Sequence, residues 1–222
     1  LPPPGRGGGG GAPPPPAPEG YVTALFDSVA PQFERHLVED LEYRVPQALA
    51  AMVRPRLAGG ARVVDLGCGT GLVAAALAGS GAEIIGIDLS SRMLEIAAAR
   101  GVYARLERGE LAEALARMAP GSAQAVLAAD VFIYVGDLEA VFAAVARVLA
   151  PRGLFAFSVE GLESGTYRLL PAGRYAQSPA YLRALAQRFG LAELALERTR
   201  IRREARGHAE GWLALFARRA PR

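Results

Sequence analysis

Short apolar runs alternate with longer amphipathic stretches along the chain from residue 61 onward. The apolar runs are rich in valine, isoleucine and leucine, which is typical of strands buried on both faces of a sheet. The stretches between them carry apolar side chains every three or four residues and therefore predict helices. The predicted strands are Ala61–Leu66, Glu83–Asp88, Val102–Leu106, Ala123–Ala129, Leu154–Val159, Ala192–Arg200 and Glu210–Ala217, and the predicted helices are Leu72–Gly79, Ser91–Arg100, Leu111–Met118, Leu138–Leu149 and Ser178–Arg188.

These alternating strands and helices predict an α/β fold with a doubly wound, mainly parallel, Rossmann-like sheet. Only a short arginine-rich turn separates the last two predicted strands, so we expect them to form an antiparallel hairpin at the edge of the sheet. Residues 161–177 show neither the strand period nor the helix period, and we expect them to be irregular.

The chain changes character twice before residue 61. Residues 1–20 contain eight prolines and seven glycines, a composition that predicts a disordered tail or linker because it has nothing to bury. Residues 21–57 carry apolar side chains at spacings of three and four, with Pro31 and Pro46 near expected helix starts, so we expect two or three short helices there. The folded domain is therefore expected to span residues 21–222.

Composition excludes several kinds of chemistry. All 25 basic residues are arginines, and the chain contains neither lysine nor asparagine. The absence of lysine excludes Schiff-base catalysis and a phosphate-binding loop that ends in Gly-Lys. The formal net charge is only +3, and the arginine excess is typical of GC-rich coding, so we do not expect a nucleic-acid partner. A single cysteine, Cys68, excludes a disulfide framework and a multi-cysteine zinc site, and we expect no bound metal.

The distribution of apolar residues also bears on location. No apolar stretch approaches the roughly 20 residues that a membrane-spanning helix needs. The first twenty residues lack the apolar core of a signal peptide. We therefore expect a cytoplasmic protein without membrane attachment.

The most informative segment follows the first predicted strand, where Asp65 precedes Gly67, Gly69 and Gly71. Glycines in a turn between a strand and a helix let a ligand approach the main chain closely. A dinucleotide-binding turn would need a glycine at position 72, where this chain has Leu72. Asp65 would also repel a pyrophosphate but attract an ammonium group. The turn therefore favours S-adenosylmethionine over a nicotinamide dinucleotide, and an oxidoreductase is disfavoured.

A second acidic residue, Asp88, ends the next predicted strand, 21 residues after Gly67. A carboxylate at that point of a doubly wound sheet accepts hydrogen bonds from the two hydroxyls of a ribose. Either feature alone has an ordinary explanation, since a glycine turn needs no ligand and an aspartate after a strand commonly caps a helix. Their combination at this spacing predicts a nucleoside-containing cofactor.

These residues resemble the signature of the class I S-adenosylmethionine-dependent methyltransferases, and the resemblance extends over residues 21–216. It implies a seven-stranded sheet of order 3-2-1-4-5-7-6 with an antiparallel last strand, and a helical lid over residues 21–57. It also implies that Asp65 and the glycine turn hold the methionine end of the cofactor and that Asp88 holds its ribose. The other residues that the resemblance places at the cofactor are Cys68, Leu89, Met93, Glu110, Leu111 and Ala129.

Six short segments support a narrower resemblance: residues 21–27, 33–37, 43–46, 101–103, 128–131 and 173–176. They are similar to bacterial methyltransferases that carry tetratricopeptide repeats and to the human methyltransferase-like protein of the Williams–Beuren region. This resemblance implies that the tail joins the domain to an upstream repeat domain in a longer protein.

Methyl transfer needs a positioned acceptor and, for some acceptors, a base. The candidate catalytic residues are His36, Asp130 and Tyr175. His36 lies in the N-terminal helical region, where a partly exposed helix position is the alternative interpretation. By the resemblance, Asp130 faces the reacting methyl group and Tyr175 lies on a segment that shapes the acceptor pocket.

We therefore expect a methyltransferase that modifies an oxygen or nitrogen atom of a small molecule, mainly by positioning it. The first alternative is the same fold acting on a protein or an RNA. Strand alternation places Arg198, Arg200 and Arg202 on one face, which is either the surface for such a substrate or a solvated sheet edge. The second alternative is a non-catalytic module that binds S-adenosylmethionine and regulates a partner.

Overall fold

The computed structural model describes residues 43–204 and 207–220. The predictions for the tail, for residues 21–42 of the helical lid and for His36 lie outside these residues. The helices are α1 (Val45–Val53), α2 (Leu72–Ala76), α3 (Ser91–Ala99), α4 (Leu111–Arg117), α5 (Glu139–Val148) and α6 (Pro179–Arg188), and the strands are β1 (Arg62–Leu66), β2 (Glu83–Asp88), β3 (Arg105–Arg108), β4 (Ala123–Ala128), β5 (Leu149–Gly161), β6 (Tyr167–Leu169), β7 (Tyr175–Gln177), β8 (Leu191–Glu204) and β9 (Gly207–Arg218).

The described strands form one mixed sheet whose main path is β3-β2-β1-β4-β5-β9-β8. Along this path the strands run parallel except β9, which is antiparallel to both β5 and β8. The expected α/β class and the antiparallel position of the last strand are confirmed. The expected count of seven strands is wrong, because residues 43–204 and 207–220 already contribute nine strands to the sheet.

The two additional strands, β6 and β7, form a hairpin beside the end of β5. Strand β4 ends at Ala128, and beyond that point β7 pairs with the last residues of β5 on the edge that β4 leaves. The side-chain amide of Gln177 donates to the carbonyl oxygens of Phe132 (3.3 Å) and Val135 (2.8 Å), which ties the hairpin to the loop after β4. The expectation that residues 161–177 are irregular is therefore wrong, and strands of three residues are too short to display a period.

Helices cover both faces of the sheet, as a doubly wound fold requires. On one face Val64 and Leu66 of β1 belong to a hydrophobic core shared with α4, α5 and α6. On the other face Val63 packs in a core shared with α1 and α2. Because side chains alternate along a strand, Asp65 lies on the same face as Val63. Helix α1 carries Pro46 in its first turn, as predicted, and lies within this second core.

Strand β8 contains an irregularity that changes which way its side chains face. Arg200 pairs with Glu210, but Arg202 pairs with Ala209, so Ile201 is an extra residue on β8 and forms a β-bulge. Arg200 is exposed, whereas only 6% of Arg202 is. The prediction that Arg202 shares a face with Arg198 and Arg200 is therefore wrong. The predicted turn is also shorter than expected, because β8 continues to Glu204.

Strand β5 begins at Leu149, five residues before the predicted Leu154, and the other predicted bounds agree with the structure to within about four residues. One of these smaller differences has a consequence for the site. Strand β3 begins at Arg105, not at Val102. Residues 102–104 therefore form a loop that enters β3 from the amino-terminal edge of the sheet, and the side chain of Tyr103 reaches from there to Gly86 of β2 and to Gly71 of the glycine turn.

Candidate active site

The glycine turn connects β1 to α2 with a left-handed backbone at each glycine: φ is 61° at Gly67, 52° at Gly69 and 90° at Gly71. A Cβ atom at Gly67 would lie 2.5 Å from Cγ2 of Val131, so the turn packs closely against the loop after β4. A Cβ atom at Gly69 would meet no heavy atom of the described residues within 4 Å, its chain neighbours aside. The turn thus presents open main chain at Gly69.

Asp88 fastens this turn to the end of β2. Its Oδ2 accepts a hydrogen bond from the N–H of Gly69 at 2.8 Å, and its Oδ1 accepts one from the N–H of Ser90 at 2.9 Å. The cap of helix α3 is Ser90, whose Oγ accepts from the N–H of Met93 at 3.1 Å. Asp88 therefore joins two strand ends instead of serving as the simple helix cap that was its ordinary alternative.

Asp65 is completely buried at the end of β1. Its Oδ2 accepts a hydrogen bond from the hydroxyl of Tyr103 at 2.7 Å, while its Oδ1 has no hydrogen-bond partner among the described residues. Burial raises the pKa of Asp65 from 3.8 to about 7; the Tyr103 hydrogen bond lowers this pKa, and the charge of Asp88 raises it. The carboxyl group therefore changes charge near neutral pH.

Cys68 lies inside the turn and is 6% exposed. Burial and the negative charges of Asp65 and Asp88 raise the pKa of its thiol well above the usual range. A thiol that remains protonated at neutral pH is a poor nucleophile, so Cys68 acts as a small packing residue.

The remaining predicted cofactor residues follow β2 and β3, and they differ in exposure. Leu89 is partly exposed directly after β2, whereas Met93 is 1% exposed and belongs to the core. Glu110 caps α4, since its Oε2 accepts from the N–H of Glu113 at 3.0 Å. Leu111 follows it and is 7% exposed.

Ala129 and Asp130 follow β4, the neighbour of β1 on its other side. Asp130 has a left-handed φ of 57°, which is uncommon for a residue with a side chain. Its N–H donates to Oγ of Ser158 at 2.8 Å. Both of its carboxylate oxygens accept hydrogen bonds from Nη1 of Arg202, at 2.8 and 2.7 Å.

Arg202 and Asp130 belong to a group of five charged residues that we name the β8 charge cluster, together with Glu160, Arg174 and Glu204. Nη2 of Arg202 donates to Glu160 and, at 3.4 Å, to Glu204. Arg174 donates to the same two carboxylates. The side chains of Arg202 and Glu160 are only 6% and 5% exposed. The cluster thus connects the loop after β4 with β5, β8 and the β6–β7 hairpin.

Ionisable groups around the β8 charge cluster have shifted pKa values. Burial raises the pKa of Asp130, and the guanidinium of Arg202 opposes the shift. Burial, followed by the charge of Asp130, raises the pKa of Tyr134 to about 12. The same two causes raise the pKa of Tyr43 well above its usual value. Both phenols are therefore protonated at neutral pH.

Tyr175 lies on β7 and is 4% exposed. Its ring centroid is 6.3 Å from that of Tyr167, and a Cβ atom at Gly136 would lie 2.7 Å from its Cε1. Burial raises its pKa, with a smaller contribution from Tyr167. The structure therefore places Tyr175 in the packing between the hairpin and the loop after β4.

Two residues form hydrogen bonds at this site that the sequence does not predict. Tyr103 belongs to the resembling segment 101–103, and Arg202 is predicted only to lie on a substrate surface or on a solvated sheet edge. Their partners Asp65 and Asp130 lie 38 and 72 residues away in the chain. A buried partner for Asp65 could have been expected, because a carboxyl group after a fully apolar strand needs a hydrogen-bond donor.

A family model described as "Methyltransferase domain" matches residues 64–157. The ubiquinone biosynthesis O-methyltransferase of Bordetella avium (strain 197N) is 30% identical over 175 residues, which are 70% of this chain and 70% of that protein. The protein of the same name from Xanthomonas campestris pv. campestris (strain B100) is 32% identical over 165 residues, 68% of this chain and 66% of that protein. The chain thus spans slightly less than two thirds of the Xanthomonas relative.

Two solved structures share the fold. The [4+2]-cyclase SpnF superposes with a TM-score of 0.73 at 19% identity, covering 93% of this chain and 98% of that chain. The 1,6-didemethyltoxoflavin-N1-methyltransferase of Burkholderia thailandensis, solved with 1,6-didemethyltoxoflavin and S-adenosylhomocysteine, has a TM-score of 0.68 at 18% identity, covering 93% of this chain and 92% of that chain.

Two further findings concern the described residues alone. No helix within residues 43–204 and 207–220 is long and apolar enough to cross a membrane. The same residues contain no group of three or more His, Cys, Asp or Glu that could hold a metal ion.

The strand order, the glycine turn after β1 and the identity to the Bordetella relative agree on one family. This chain belongs to the class I S-adenosylmethionine-dependent methyltransferases.

Proposed function

We propose that the protein transfers the methyl group of S-adenosylmethionine to an oxygen atom of a small molecule. Asp65 carries the proposal. Its side chain is completely buried, and Oδ1 makes no hydrogen bond to any residue that the structure describes. A buried carboxylate oxygen without a partner is destabilising unless a ligand supplies a donor. The methionine ammonium group of the cofactor is such a donor.

The residues around the glycine turn fit this cofactor. Open main chain at Gly69 leaves room for a ligand against the turn. Asp88, held by the amides of Gly69 and Ser90, is oriented at the end of β2 to accept hydrogen bonds from ribose hydroxyls. Leu89 and Leu111, after β2 and β3, would contact the adenine. Met93, a core residue, and Glu110, the cap of α4, would support these two side chains.

The acceptor would lie on the side of Ala129 and Asp130. When bound, S-adenosylmethionine supplies a methyl group that a positively charged sulfur already activates. The chain then has to align the acceptor, exclude water and, if required, remove a proton. Asp130 is a poor base because both of its oxygens are bound to Arg202, so we assign it a positioning role. The protonated phenols of Tyr43 and Tyr134 would serve as hydrogen-bond donors.

Oxygen is the acceptor atom that the relatives support, since both are named ubiquinone biosynthesis O-methyltransferases. The Burkholderia neighbour is an N1-methyltransferase by its description, so nitrogen is the alternative. A protein or RNA substrate has less support. The exposed residues Arg198 and Arg200 form ion pairs with Glu163 and Glu210, which neutralise that edge. A non-catalytic binding module is the remaining alternative.

We also propose the narrower family assignment and its consequences. The protein would group with the bacterial methyltransferases that carry tetratricopeptide repeats and with the methyltransferase-like protein of the Williams–Beuren region, which the six resembling segments support. On that assignment residues 1–20 are a linker to an upstream repeat domain. Residues 21–57 act as a lid on the domain that continues to residue 222, and the protein works in the cytoplasm.

Isothermal titration with S-adenosylmethionine, S-adenosylhomocysteine and NAD tests the cofactor. We expect heat from both sulfur ligands and none from NAD. Asp65→Ala and Asp88→Ala should each weaken the binding of S-adenosylhomocysteine by about tenfold or more, since each removes a charged hydrogen-bond acceptor. Glu95→Ala, at an exposed carboxylate of α3, is the matched control and should bind normally. No heat from either sulfur ligand would contradict the proposal.

A second experiment identifies the acceptor. Cell extract is incubated with the protein and with S-adenosylmethionine that carries a labelled methyl group. We expect the label in small molecules, in a linkage that resists treatments that cleave esters. Label in RNA or protein would support the first alternative, and binding without any transfer would support the second.

A further inference from the structure

Tyr103 occupies a space that two glycines leave open. A Cβ atom at Gly86 of β2 would lie 2.8 Å from Cε1 of Tyr103, and one at Gly71 would lie 3.0 Å from Cε2. The ring therefore fits between the glycine turn and β2, next to the Cys68 sulfur, which is itself 3.0 Å from the same position at Gly86. A tyrosine packed this closely has a fixed ring orientation, which fixes the position of its hydroxyl.

The hydroxyl of Tyr103 distinguishes the two oxygens of Asp65. It donates to Oδ2 at 2.7 Å, and among the described residues Oδ1 receives no hydrogen bond. The plane of an aspartate carboxylate turns with χ2, a torsion with a broad energy minimum. The hydrogen bond fixes this plane, so the oxygen that is not bonded to Tyr103 is held at one defined position.

We propose that Tyr103 is a positioning residue for the cofactor: its hydroxyl holds the Asp65 carboxylate so that Oδ1 is presented to the methionine ammonium group. The inference rests on the proposed function, since it assumes that S-adenosylmethionine binds at Asp65. The family signature consists of the strand that ends at Asp65, the glycine turn and Asp88. Tyr103 adds to these a residue from the loop between α3 and β3.

Tyr103 also influences the charge of Asp65. Burial and Asp88 raise the Asp65 pKa, whereas the Tyr103 hydrogen bond lowers it. The Cys68 thiol and the Tyr43 phenol also interact with Asp65, and their own raised pKa values keep them neutral near pH 7. Removing the Tyr103 hydroxyl therefore raises the Asp65 pKa above about 7. A protonated Asp65 pairs poorly with an ammonium group, so the loss of affinity is larger at low pH.

The test compares two ligands in the wild type and in Tyr103→Phe. S-adenosylhomocysteine carries the ammonium group, whereas 5′-methylthioadenosine keeps the adenosine and the thioether and lacks the amino-acid part. If the Asp65 pKa rises by about one unit, S-adenosylhomocysteine affinity falls about tenfold at pH 6.0 and about twofold at pH 8.0. Affinity for 5′-methylthioadenosine should change by less than about twofold at either pH.

Tyr181→Phe is the matched control. The Tyr181 hydroxyl also donates to an aspartate, Oδ1 of Asp137 at 2.8 Å, and it belongs to α6, away from the glycine turn. Its removal should leave the affinity for both ligands unchanged. The comparison therefore separates the loss of a tyrosine–aspartate hydrogen bond in general from its loss at Asp65.

A second variant strengthens the same hydrogen bond and keeps the tyrosine hydroxyl, so the inference can still be tested if Tyr103→Phe does not fold. Replacing Tyr103 with 2-fluorotyrosine, whose fluorine lies on Cδ and not on the Cε carbons that face Gly86 and Gly71, makes the hydroxyl a stronger donor, so S-adenosylhomocysteine should bind more tightly at pH 6.0. Equal losses for both ligands, or no effect of either variant on S-adenosylhomocysteine, would overturn the inference. If the wild type binds no S-adenosylhomocysteine, the proposed function itself fails, and that result is distinct from these.

Discussion

The buried carboxylate of Asp65 lowers the stability of the folded protein when it is ionised. Burial raises its pKa from 3.8 to about 7, so the folded state binds this proton more tightly than the unfolded chain does. Stability falls with pH wherever the folded state binds more protons. The ionised carboxylate is therefore a destabilising feature that develops as the pH rises from about 4 to 7 and remains above that range.

The neutral amide of Asp65→Asn avoids this cost. We expect the substitution to raise the free energy of unfolding of the ligand-free protein by about 1–3 kcal/mol at pH 8. At pH 4 the gain should disappear, because the wild-type carboxyl group is then protonated in the folded state. Urea unfolding at the two pH values measures the difference. Glu113→Gln, at an exposed position of α4, is the control, and a gain that does not depend on pH would contradict this account.

At the scale of elements, the β6–β7 hairpin occupies the place beside β5 that β4 leaves when it ends. It is held by the Gln177 amide on the carbonyl oxygens of the loop after β4 and by the packing of Tyr175 on Gly136. Through Arg174 it also joins the β8 charge cluster. The hairpin therefore forms one wall of the region where we place the acceptor.

Gly136→Ala tests this packing. The added Cβ atom would lie 2.7 Å from a ring carbon of Tyr175, which is itself buried. The ring or the loop must therefore move, at a cost of about 1–3 kcal/mol of stability. Thermal unfolding should show a lower Tm. Gly59→Ala is the control, since an added Cβ there meets nothing within 4 Å and φ is not positive, and an equal loss in both variants would contradict the packing argument.

Elements differ in how far they could be predicted from sequence. The strands of the main sheet and the helices show their periods clearly, and the turn after β1 and Asp88 lie within 24 residues of one another, on consecutive elements. The β6–β7 hairpin has strands too short for a period, and the bulge at Ile201 breaks the alternation in β8 without any glycine to mark it. Tyr103 and Arg202 meet partners that only the tertiary fold brings near.

At the scale of the whole molecule, the β8 charge cluster joins four separate parts of the chain. Removing one partner of a buried ion pair leaves an uncompensated charge and typically costs about 3–5 kcal/mol. If Arg202 were replaced, Asp130 would lose its guanidinium partner and Glu160 would keep only that of Arg174. The cluster therefore contributes to the cohesion of the carboxyl-terminal half, as well as to the position of Asp130.

Arg202→Met should reduce stability by about 3–5 kcal/mol, because it leaves the buried carboxylate of Asp130 without a cation and Glu160 with Arg174 alone. Arg198→Met removes an exposed arginine from the same strand, with 56% of its side chain accessible, and should cost less than about 1 kcal/mol. Urea unfolding at pH 7 compares them. Equal small losses would show that the cluster contributes little to stability.

Strand β9 lies between β5 and β8, although it follows β8 in the chain. Of the strands that the structure describes, β9 alone pairs with β8, so β8 is connected to the sheet only through β9, whether β9 pairs first with β5 or with β8. Pairings between distant segments form slowly. During synthesis on the ribosome, Arg202 emerges before β9, the strand that connects β8 to the sheet. We therefore expect Asp130 and Glu160 to gain Arg202 as a partner only after residues 207–218 have left the exit tunnel, and this side of the domain to fold last.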